Sequence, residues 1–91
     1  TKDDKNPINA DKILLNKYSK LINIGESYQI EIKGLPGKYS LNDLEYSSKD
    51  NSVVTVNNGI VYGIKKGASE VVISTKDHKY SASINVLVSE G

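Results

Sequence analysis

The sequence predicts an all-β fold, a sandwich of two antiparallel sheets made of about seven short strands. Several segments alternate apolar and polar residues, as strands with one buried face do. Turn-forming residues, an Asn-Gly pair among them, separate these segments at regular intervals. Because no window of the sequence has sustained helical periodicity, a helical domain is excluded, and an open barrel is the less favoured all-β alternative.

The 91 residues provide enough chain for one domain. Residues 1–11 are polar and aperiodic, so we expect a linker or flexible lead-in there. The domain is expected to span residues 12–89, and residues 90–91 to form a tail. The chain begins with the character of a mid-protein segment, which predicts a module excised from a longer polypeptide.

In the first half of the domain, strands are predicted at residues 13–15, 21–24 and 28–32, the last after a turn at Gly25. Successive side chains of a strand point to opposite faces, so the alternation in the third segment defines a buried set. A Gly-Pro-rich loop is predicted at residues 34–37. The side chains of this half that are predicted to face the core are Tyr28, Ile30 and Ile32.

The second half is dominated by hairpin signals. Asn58-Gly59 favours a type I′ turn, since both central residues of that turn need positive φ. Gly63 and Gly67 bracket a corner, and residues 76–79 are predicted to form a polar hairpin tip. The side chains predicted to face the core are Leu44, Tyr46, Val54, Val56, Val61, Val71, Ile73, Ala82, Ile84, Val86 and Val88.

These segments also occur in the order of a known family. They are, in sequence, Ile24-Gly25-Glu26-Ser27, Tyr46 to Val56, Gly59 to Gly63, Lys66-Gly67-Ala68-Ser69 and Ile84 to Val88. Over residues 13–88 the chain therefore resembles the bacterial immunoglobulin-like group 2 (BIG2) module, with Tyr46 where that family usually has Trp. The resemblance implies an immunoglobulin-like sandwich, here without a disulfide.

The resemblance also implies a function. It predicts a non-catalytic module of a bacterial surface or secreted protein, located outside the cell. The expected role is that of a structural spacer or adhesion scaffold, in contact with neighbouring domains of the same polypeptide. The alternative is a binding module, which contacts a cell-wall or host glycan, a host surface protein or Ca²⁺ through its loops.

Composition restricts the partners and cofactors. The chain has no Cys, which rules out a disulfide and a thiolate metal site. Its 12 basic and 11 acidic residues leave a net charge of +1, too small an excess to predict nucleic-acid binding. The sequence has no apolar run of membrane-spanning length, so membrane insertion is not expected. No motif predicts a cofactor.

The sequence contains no catalytic constellation. His78 is the only histidine, and it lies in the predicted polar tip. One His without a second His or a Cys is a poor transition-metal site. No serine occupies a Gly-x-Ser-x-Gly elbow. We therefore expect no catalytic residue and no enzymatic activity.

Four residues are candidates for calcium binding. Asp43, Glu45, Asp50 and Asn51 carry the oxygen ligands that Ca²⁺ prefers, although their spacing matches no twelve-residue calcium loop. The competing interpretation is ordinary solvation, because acidic residues in turns usually face water.

Tyrosines are the candidates for glycan binding, since aromatic rings pack against the apolar faces of sugars. Tyr18, Tyr39, Tyr62 and Tyr80 are expected to be at least partly exposed. Tyrosines also commonly cover sheet surfaces, so the sequence leaves both interpretations open.

Overall fold

The structure is a computed structural model that describes residues 8–37 and 39–90. Within those residues it contains ten strands and one short 3-10 helix, Leu41–Asp43, and no α-helix. No helix in this part of the chain is long and apolar enough to span a bilayer. The strands are β1 (Ile8–Asn9), β2 (Leu14–Leu15), β3 (Ser19–Asn23), β4 (Ser27–Gln29), β5 (Ile32–Leu35), β6 (Leu44–Ser48), β7 (Val54–Asn57), β8 (Ile60–Gly63), β9 (Gly67–Thr75) and β10 (Ser81–Ser89).

The strands form two layers. One layer holds the sheets β1-β5-β2 and β4-β8-β7, which adjoin because β4 and β5 are successive segments of the chain. The other layer is the four-stranded sheet β3-β10-β9-β6. Buried side chains from both layers make one apolar cluster. The predicted all-β sandwich is therefore confirmed.

The described strands outnumber the predicted ones because β1 was not predicted and the predicted segment 28–32 falls in two strands, β4 and β5, which have different partners. Between β2 and β3 the chain crosses from one layer to the other. The chain passes from β4 to β5 through Ile30, whose N–H donates to the carbonyl of Gly59 at 2.8 Å. β4 pairs with β8, whereas β5 pairs with β1 and β2.

Two strand pairs are parallel, although the sequence predicted antiparallel sheets. β1 runs parallel to β5, and β3 runs parallel to β10 in register from Ser19↔Asn85 to Asn23↔Ser89. The crossing after β2 brings β3 alongside the last strand in the same direction. The other pairs between described strands are antiparallel.

Two segments predicted outside strands are part of a sheet. Leu35, predicted in a loop, lies in β5 and is 3% exposed, and Ile8–Asn9, predicted in the lead-in, forms β1 beside it. The absence of a side chain at Gly34 permits the close packing here, since a Cβ there would lie 3.0 Å from Cδ1 of Leu14. Residues 1–7 and Gly91 lie outside the described residues, and the domain boundaries stay a prediction.

The predicted inward positions are buried or partly buried, and Val56 and Ala82 are among those that are only partly buried. Val53 is a buried residue that alternation did not assign, because it precedes β7 in a turn. Tyr28, Ile32 and Tyr46 are partly buried and pack against the cluster. The buried hydrophobic residues are Ile13, Leu15, Ile22, Ile30, Leu35, Leu44, Val53, Val54, Val61, Val71, Ile73, Ile84, Val86 and Val88.

The predicted β7–β8 turn is confirmed. Asn58 and Gly59 have φ values of 53° and 83°, the positive values that a type I′ turn requires at both central positions. Residues 76–79 form the tip between β9 and β10, as predicted.

Candidate functional site

One end of the sandwich collects three connections that are far apart in sequence. They are the β5–β6 connection with its 3-10 helix, the β7–β8 turn and the β9–β10 tip. A hydrogen bond of 2.9 Å from the N–H of Lys76 to the carbonyl of Asp43 joins the tip to the first connection. We call these connections together the loop end, which comprises residues 36–37, 39–43, 58–59 and 76–80.

A cleft of about 930 Å³ opens between the two layers at the loop end. This volume lies in the range of small-molecule binding sites. Residues 29–33, from β4 to β5, make one wall, and the 3-10 helix and β6 contribute to the other. The lining residues are Gln29, Ile30, Glu31, Ile32, Lys33, Leu41, Asn42, Leu44, Tyr46, Asn58 and Lys76.

Three amide side chains line this cleft without a hydrogen-bond partner among the residues that the structure describes. Gln29, Asn42 and Asn58 are exposed, and their side-chain amides form no hydrogen bond with any residue that the structure describes. An amide group both donates and accepts hydrogen bonds. The cleft therefore presents three groups of mixed donor and acceptor character to solvent.

The charge of the cleft is small. Lys33 and Glu31 are half-exposed and form an ion pair with 4.0 Å between Nζ and Oε1. Lys76 forms no ion pair within residues 8–37 and 39–90. Among the described lining residues, one cation is therefore outside an ion pair.

Tyr46 supplies an aromatic surface to the cleft. Its side chain starts from β6 and reaches the β7–β8 turn, where a Cβ on Gly59 would lie 3.2 Å from Cζ of the ring. The ring packs partly against the core, and this burial raises the pKa of the Tyr46 hydroxyl. Together with Ile32 and Leu41, it makes the cleft partly apolar.

A hydrogen-bond network orders the tip beside the cleft. The carboxylate of Asp77 accepts a hydrogen bond from the Tyr39 hydroxyl. It also accepts the hydroxyl of Thr75 at 2.6 Å and the N–H of Lys79 at 3.1 Å. The Tyr39 ring meets the edge of Tyr80, with 5.6 Å between centroids and 74° between planes. Because Tyr39 belongs to the β5–β6 connection, the network joins two of the three connections.

These hydrogen bonds shift two pKa values in opposite directions. The Thr75 hydroxyl, followed by that of Tyr39, stabilises the charged carboxylate and lowers the pKa of Asp77 to about 2. The hydrogen bond to Asp77 stabilises the protonated phenol and raises the pKa of Tyr39 to about 12.

The calcium candidates are distributed along β6. Asp43 lies at the loop end, Glu45 is exposed on the strand itself, and Asp50 and Asn51 follow its opposite end. Since a strand rises about 3.3 Å per residue, the five residues of β6 place Asp43 and Asp50 roughly 15–20 Å apart. The structure therefore does not bring the four residues to one point.

Two of these carboxylates are engaged locally. Asp43 accepts the N–H of Ser40 at 2.9 Å. Asp50 accepts the hydroxyl of Ser52 at 2.6 Å, and this hydrogen bond is the main reason that the pKa of Asp50 is lowered. Within residues 8–37 and 39–90, no group of three or more His, Asp or Glu side chains is arranged to hold a metal ion. Calcium binding stays a prediction.

The other singled-out residues occupy separate places. His78 is exposed at the tip, with a φ of 66°. Tyr18 and Tyr62 are 51% and 40% exposed and do not line the cleft. Of the four tyrosines considered for glycan binding, Tyr39 and Tyr80 are in ring contact.

The cleft itself was not predicted. Gln29 was assigned only to a solvent-facing strand position and Asn58 only to a turn, and Asn42 carried no signal. No local pattern indicates that these residues share one cleft, because the connections that carry them meet only in the tertiary structure.

The fold is similar to that of domains of a protein described as the S-layer protein SbsC. Domains 5–6 of that protein match with a TM-score of 0.68 and 14% identity, over 89% of this chain and 44% of that one. Domains 4 and 5 match with a TM-score of 0.62 and 14% identity, over 86% and 51% of the two chains. At this identity the likeness shows the fold alone. The chain spans about half or less of the length of these matched chains.

A search of curated proteins yields no match. A protein-family model does match: the one described as "Hyaluronate lyase, N-terminal beta-sheet domain" aligns with residues 37–88, which is more than half of the chain. This range includes the strands from β6 to β9 and most of β10. The chain therefore belongs to the family of hyaluronate lyase N-terminal beta-sheet domains.

Proposed function

We propose that the chain is a non-catalytic spacer module of a bacterial surface or secreted protein, and that it resists tension between its neighbouring domains. The observation that carries this proposal is the parallel pairing of β3 with β10 over five residue pairs. Hydrogen bonds extend this pairing at both ends, from Asn85 N–H to the carbonyl of Tyr18 at 3.0 Å and from Ile24 N–H to the carbonyl of Ser89 at 2.8 Å.

The direction of these strands determines how tension acts. Tension from the preceding chain pulls β3 backward at residue 19, and tension from the following chain pulls β10 forward at residue 89. Parallel strands pulled in this way slide along each other, so the hydrogen bonds of the ladder are loaded together. In an antiparallel hairpin pulled at its adjacent ends, they break one at a time.

Single-molecule force spectroscopy tests the proposal. The chain has no Cys, so pairs of cysteines can serve as unique attachment points. Handles at Lys17→Cys and Glu90→Cys flank β3 and β10 and load the pair in shear. Handles at Ala68→Cys and Leu87→Cys, which are register partners in β9 and β10, unzip that hairpin. We expect a several-fold higher unfolding force for the first pair.

Equal unfolding forces in the two geometries would overturn the proposed mechanical role. Both variants carry their cysteines at exposed positions, so the substitutions should not alter the stability of the fold. Thermal melting of each variant checks this. When the first handle is moved from Lys17 to the N-terminus, we also expect a small extension before the main event, because β1 and β2 then detach from β5 first.

The finer assignment to BIG2 modules and to the bacterial cell surface is part of this proposal. It is supported by the ordered motifs from Ile24 to Val88 and by the surface-layer domains that share the fold. Those domains belong to chains with several domains, which supports neighbouring domains of the same polypeptide as partners.

The second candidate is a binding module that acts through the loop end, and the cleft with its unengaged amides favours it. Partners of the kinds considered are a glycan, a host surface protein and Ca²⁺. A titration of the ¹⁵N-labelled chain with CaCl₂ tests the last of these. Shifts confined to Asp43 and Glu45, or to Asp50 and Asn51, support a calcium site at that end of β6; unchanged resonances at all four count against it.

A further inference from the structure

We propose that the cleft at the loop end binds a neutral oligosaccharide. This inference names a ligand class for the loop-end binding candidate and rests on it. The proposed glycan site is therefore not the set of exposed tyrosines considered from the sequence. It is one surface, which contains Tyr46, Gln29, Asn42 and Asn58.

The polar lining of the cleft favours a ligand with hydroxyl groups. Sugar hydroxyl groups donate and accept hydrogen bonds at once, and side-chain amides do the same. Gln29, Asn42 and Asn58 come from three different segments, yet they line one cleft, and none is engaged by the residues that the structure describes. A ligand rich in hydroxyl groups would satisfy these amides without breaking any hydrogen bond between described residues.

The apolar lining of the cleft favours a ligand that also has apolar faces, as sugar rings do. Tyr46, Ile32 and Leu41 contribute ring and aliphatic surface, and Leu41 is 47% exposed. Pyranose rings have faces of C–H groups that pack on such surfaces, and aromatic rings are especially suited to them. The combination of a partly apolar wall with amides around it fits a sugar better than it fits a purely apolar ligand.

The charges decide between neutral and acidic sugars. Glu31 and Lys33 pair with each other, so Lys76 is the one cation among the described lining residues that forms no ion pair with a described residue. A polyanion would need several cations along its length for appreciable affinity. The cleft of about 930 Å³ is large enough for more than one sugar unit. A short neutral chain is therefore the ligand that fits.

The test is a titration of the ¹⁵N-labelled full chain with cellotetraose, maltotetraose, chitotetraose and tetragalacturonate, each up to millimolar concentration. We expect at least one neutral tetrasaccharide to shift resonances at residues 29–33, 41–46 and 58–59. Gln29→Ala and Asn42→Ala should each weaken that binding about five- to tenfold, as the loss of a hydrogen bond does. Neither side chain contacts another described residue by a hydrogen bond, so folding should be unaffected.

Matched controls separate the cleft from nonspecific contact. Asn85→Ala removes an exposed amide and Tyr62→Ala an exposed ring, both outside the cleft. Neither should alter affinity. Tyr46→Phe keeps the ring surface and should retain most of the binding.

Three results would overturn the proposal. They are the absence of shifts with every neutral tetrasaccharide, binding that is indifferent to Gln29→Ala and Asn42→Ala, and binding of tetragalacturonate alone. If no sugar binds but a protein partner shifts the same resonances, the ligand class fails while the loop-end binding candidate stands. The spacer role is tested on β3 and β10, which contribute no residue to the cleft, so its outcome is independent.

Discussion

At the scale of single residues, Asp77 stabilises the loop end only while its carboxylate is charged. Its pKa of about 2 in the fold is below the ordinary 3.8, so its contribution is complete above pH 3.8 and is lost as the pH falls toward 2. The pKa of Tyr39 is raised from 10.0 to about 12, so its contribution is complete below pH 10.0 and is lost as the pH rises toward 12. Both groups are exposed, so solvent screens these effects.

We expect Tyr39→Phe to raise the pKa of Asp77 toward 3.8, and Thr75→Val to raise it further, because the hydrogen bond from Thr75 is the larger cause of the shift. The ¹³C chemical shift of the Asp77 carboxyl group across an acid titration measures both changes. Lys79→Ala keeps the backbone donor to Asp77 and removes only the weaker attraction of the Lys79 charge, so it should raise the pKa of Asp77 least. An identical pKa in the wild type, Tyr39→Phe and Thr75→Val would contradict the network.

Gly63 is a second residue whose surroundings determine its identity. A Cβ there would lie 2.9 Å from the backbone carbonyl oxygen of Asn23, which cannot move without disturbing β3. The N–H of Gly63 also donates to the carbonyl of Glu26, and its own carbonyl accepts the N–H of Gly25. The position therefore has no room for a side chain.

We expect Gly63→Ala to lower the free energy of unfolding by about 1–3 kcal/mol, and Gly63→Val to lower it more. Gly34→Ala is the matched comparison, since the nearest atoms to its Cβ would be side-chain atoms, Cδ1 of Leu14 at 3.0 Å and Cβ of Ala10 at 3.1 Å, and not a backbone oxygen. Gly34→Ala should cost less than Gly63→Ala. Urea unfolding measures all three, and a larger cost at Gly34 would contradict the assignment.

At the scale of elements, the β7–β8 turn and Tyr46 of β6 form one contact between the layers. Gly59 has a φ of 83°, a conformation that costs other residues about 1–2 kcal/mol. Gly25 has a φ of 89° with no atom within 4 Å of an added Cβ, whereas at Gly59 the Tyr46 ring lies 3.2 Å away. The two glycines share the conformational requirement and differ in packing.

We therefore expect Gly59→Ala to destabilise the fold more than Gly25→Ala. In a Tyr46→Ala background the cost of Gly59→Ala should fall to that of Gly25→Ala, because the ring is gone. Denaturant unfolding of the single and double variants measures this coupling. Additive effects of Gly59→Ala and Tyr46→Ala would show that the ring does not press on the turn.

At the scale of the whole molecule, stability depends on one apolar cluster shared by two layers. The chain has no Cys, and small domains bury a modest share of their surface. The total free energy of unfolding of such a domain is roughly 5–15 kcal/mol, and small domains lie toward the lower end. A single large cavity therefore removes much of it.

We expect Ile73→Ala to cost about 2–5 kcal/mol, because Ile73 is fully buried between the layers. Leu87→Ala, on the exposed face of the same sheet, is the control and should cost far less, since Leu87 is 44% exposed. Thermal and urea unfolding measure both. Similar losses for the two variants would contradict the assignment of the inner face.

Local patterns in the sequence were sufficient for the strands with one buried face. The alternation in β9 and β10 predicted Val71, Ile73, Ile84, Val86 and Val88 as core residues, and all are buried. Alternation works there because each strand has a core on one side and solvent on the other. The Asn-Gly turn was predicted for a comparable reason, since positive φ is a property of those two residues themselves.

The pairing of strands was not predictable in this way. Ile8–Asn9 and Leu35 belong to a sheet only because each finds a partner strand distant in sequence. The parallel register of β3 with β10, which supports the spacer proposal, follows from the crossing between layers and leaves no trace in the local sequence.

The sequence by itself determined that this protein is an all-β sandwich with known inward faces and a defined turn, because side-chain alternation and backbone preference act over a few neighbouring residues. Only the tertiary structure decided that Gln29, Asn42, Asn58 and Tyr46 line one cleft, and that the acidic residues beside β6 lie at its opposite ends. The physical reason is that a binding surface is made by long-range packing of connections, whose relative positions depend on strand pairing and not on the residues within each connection.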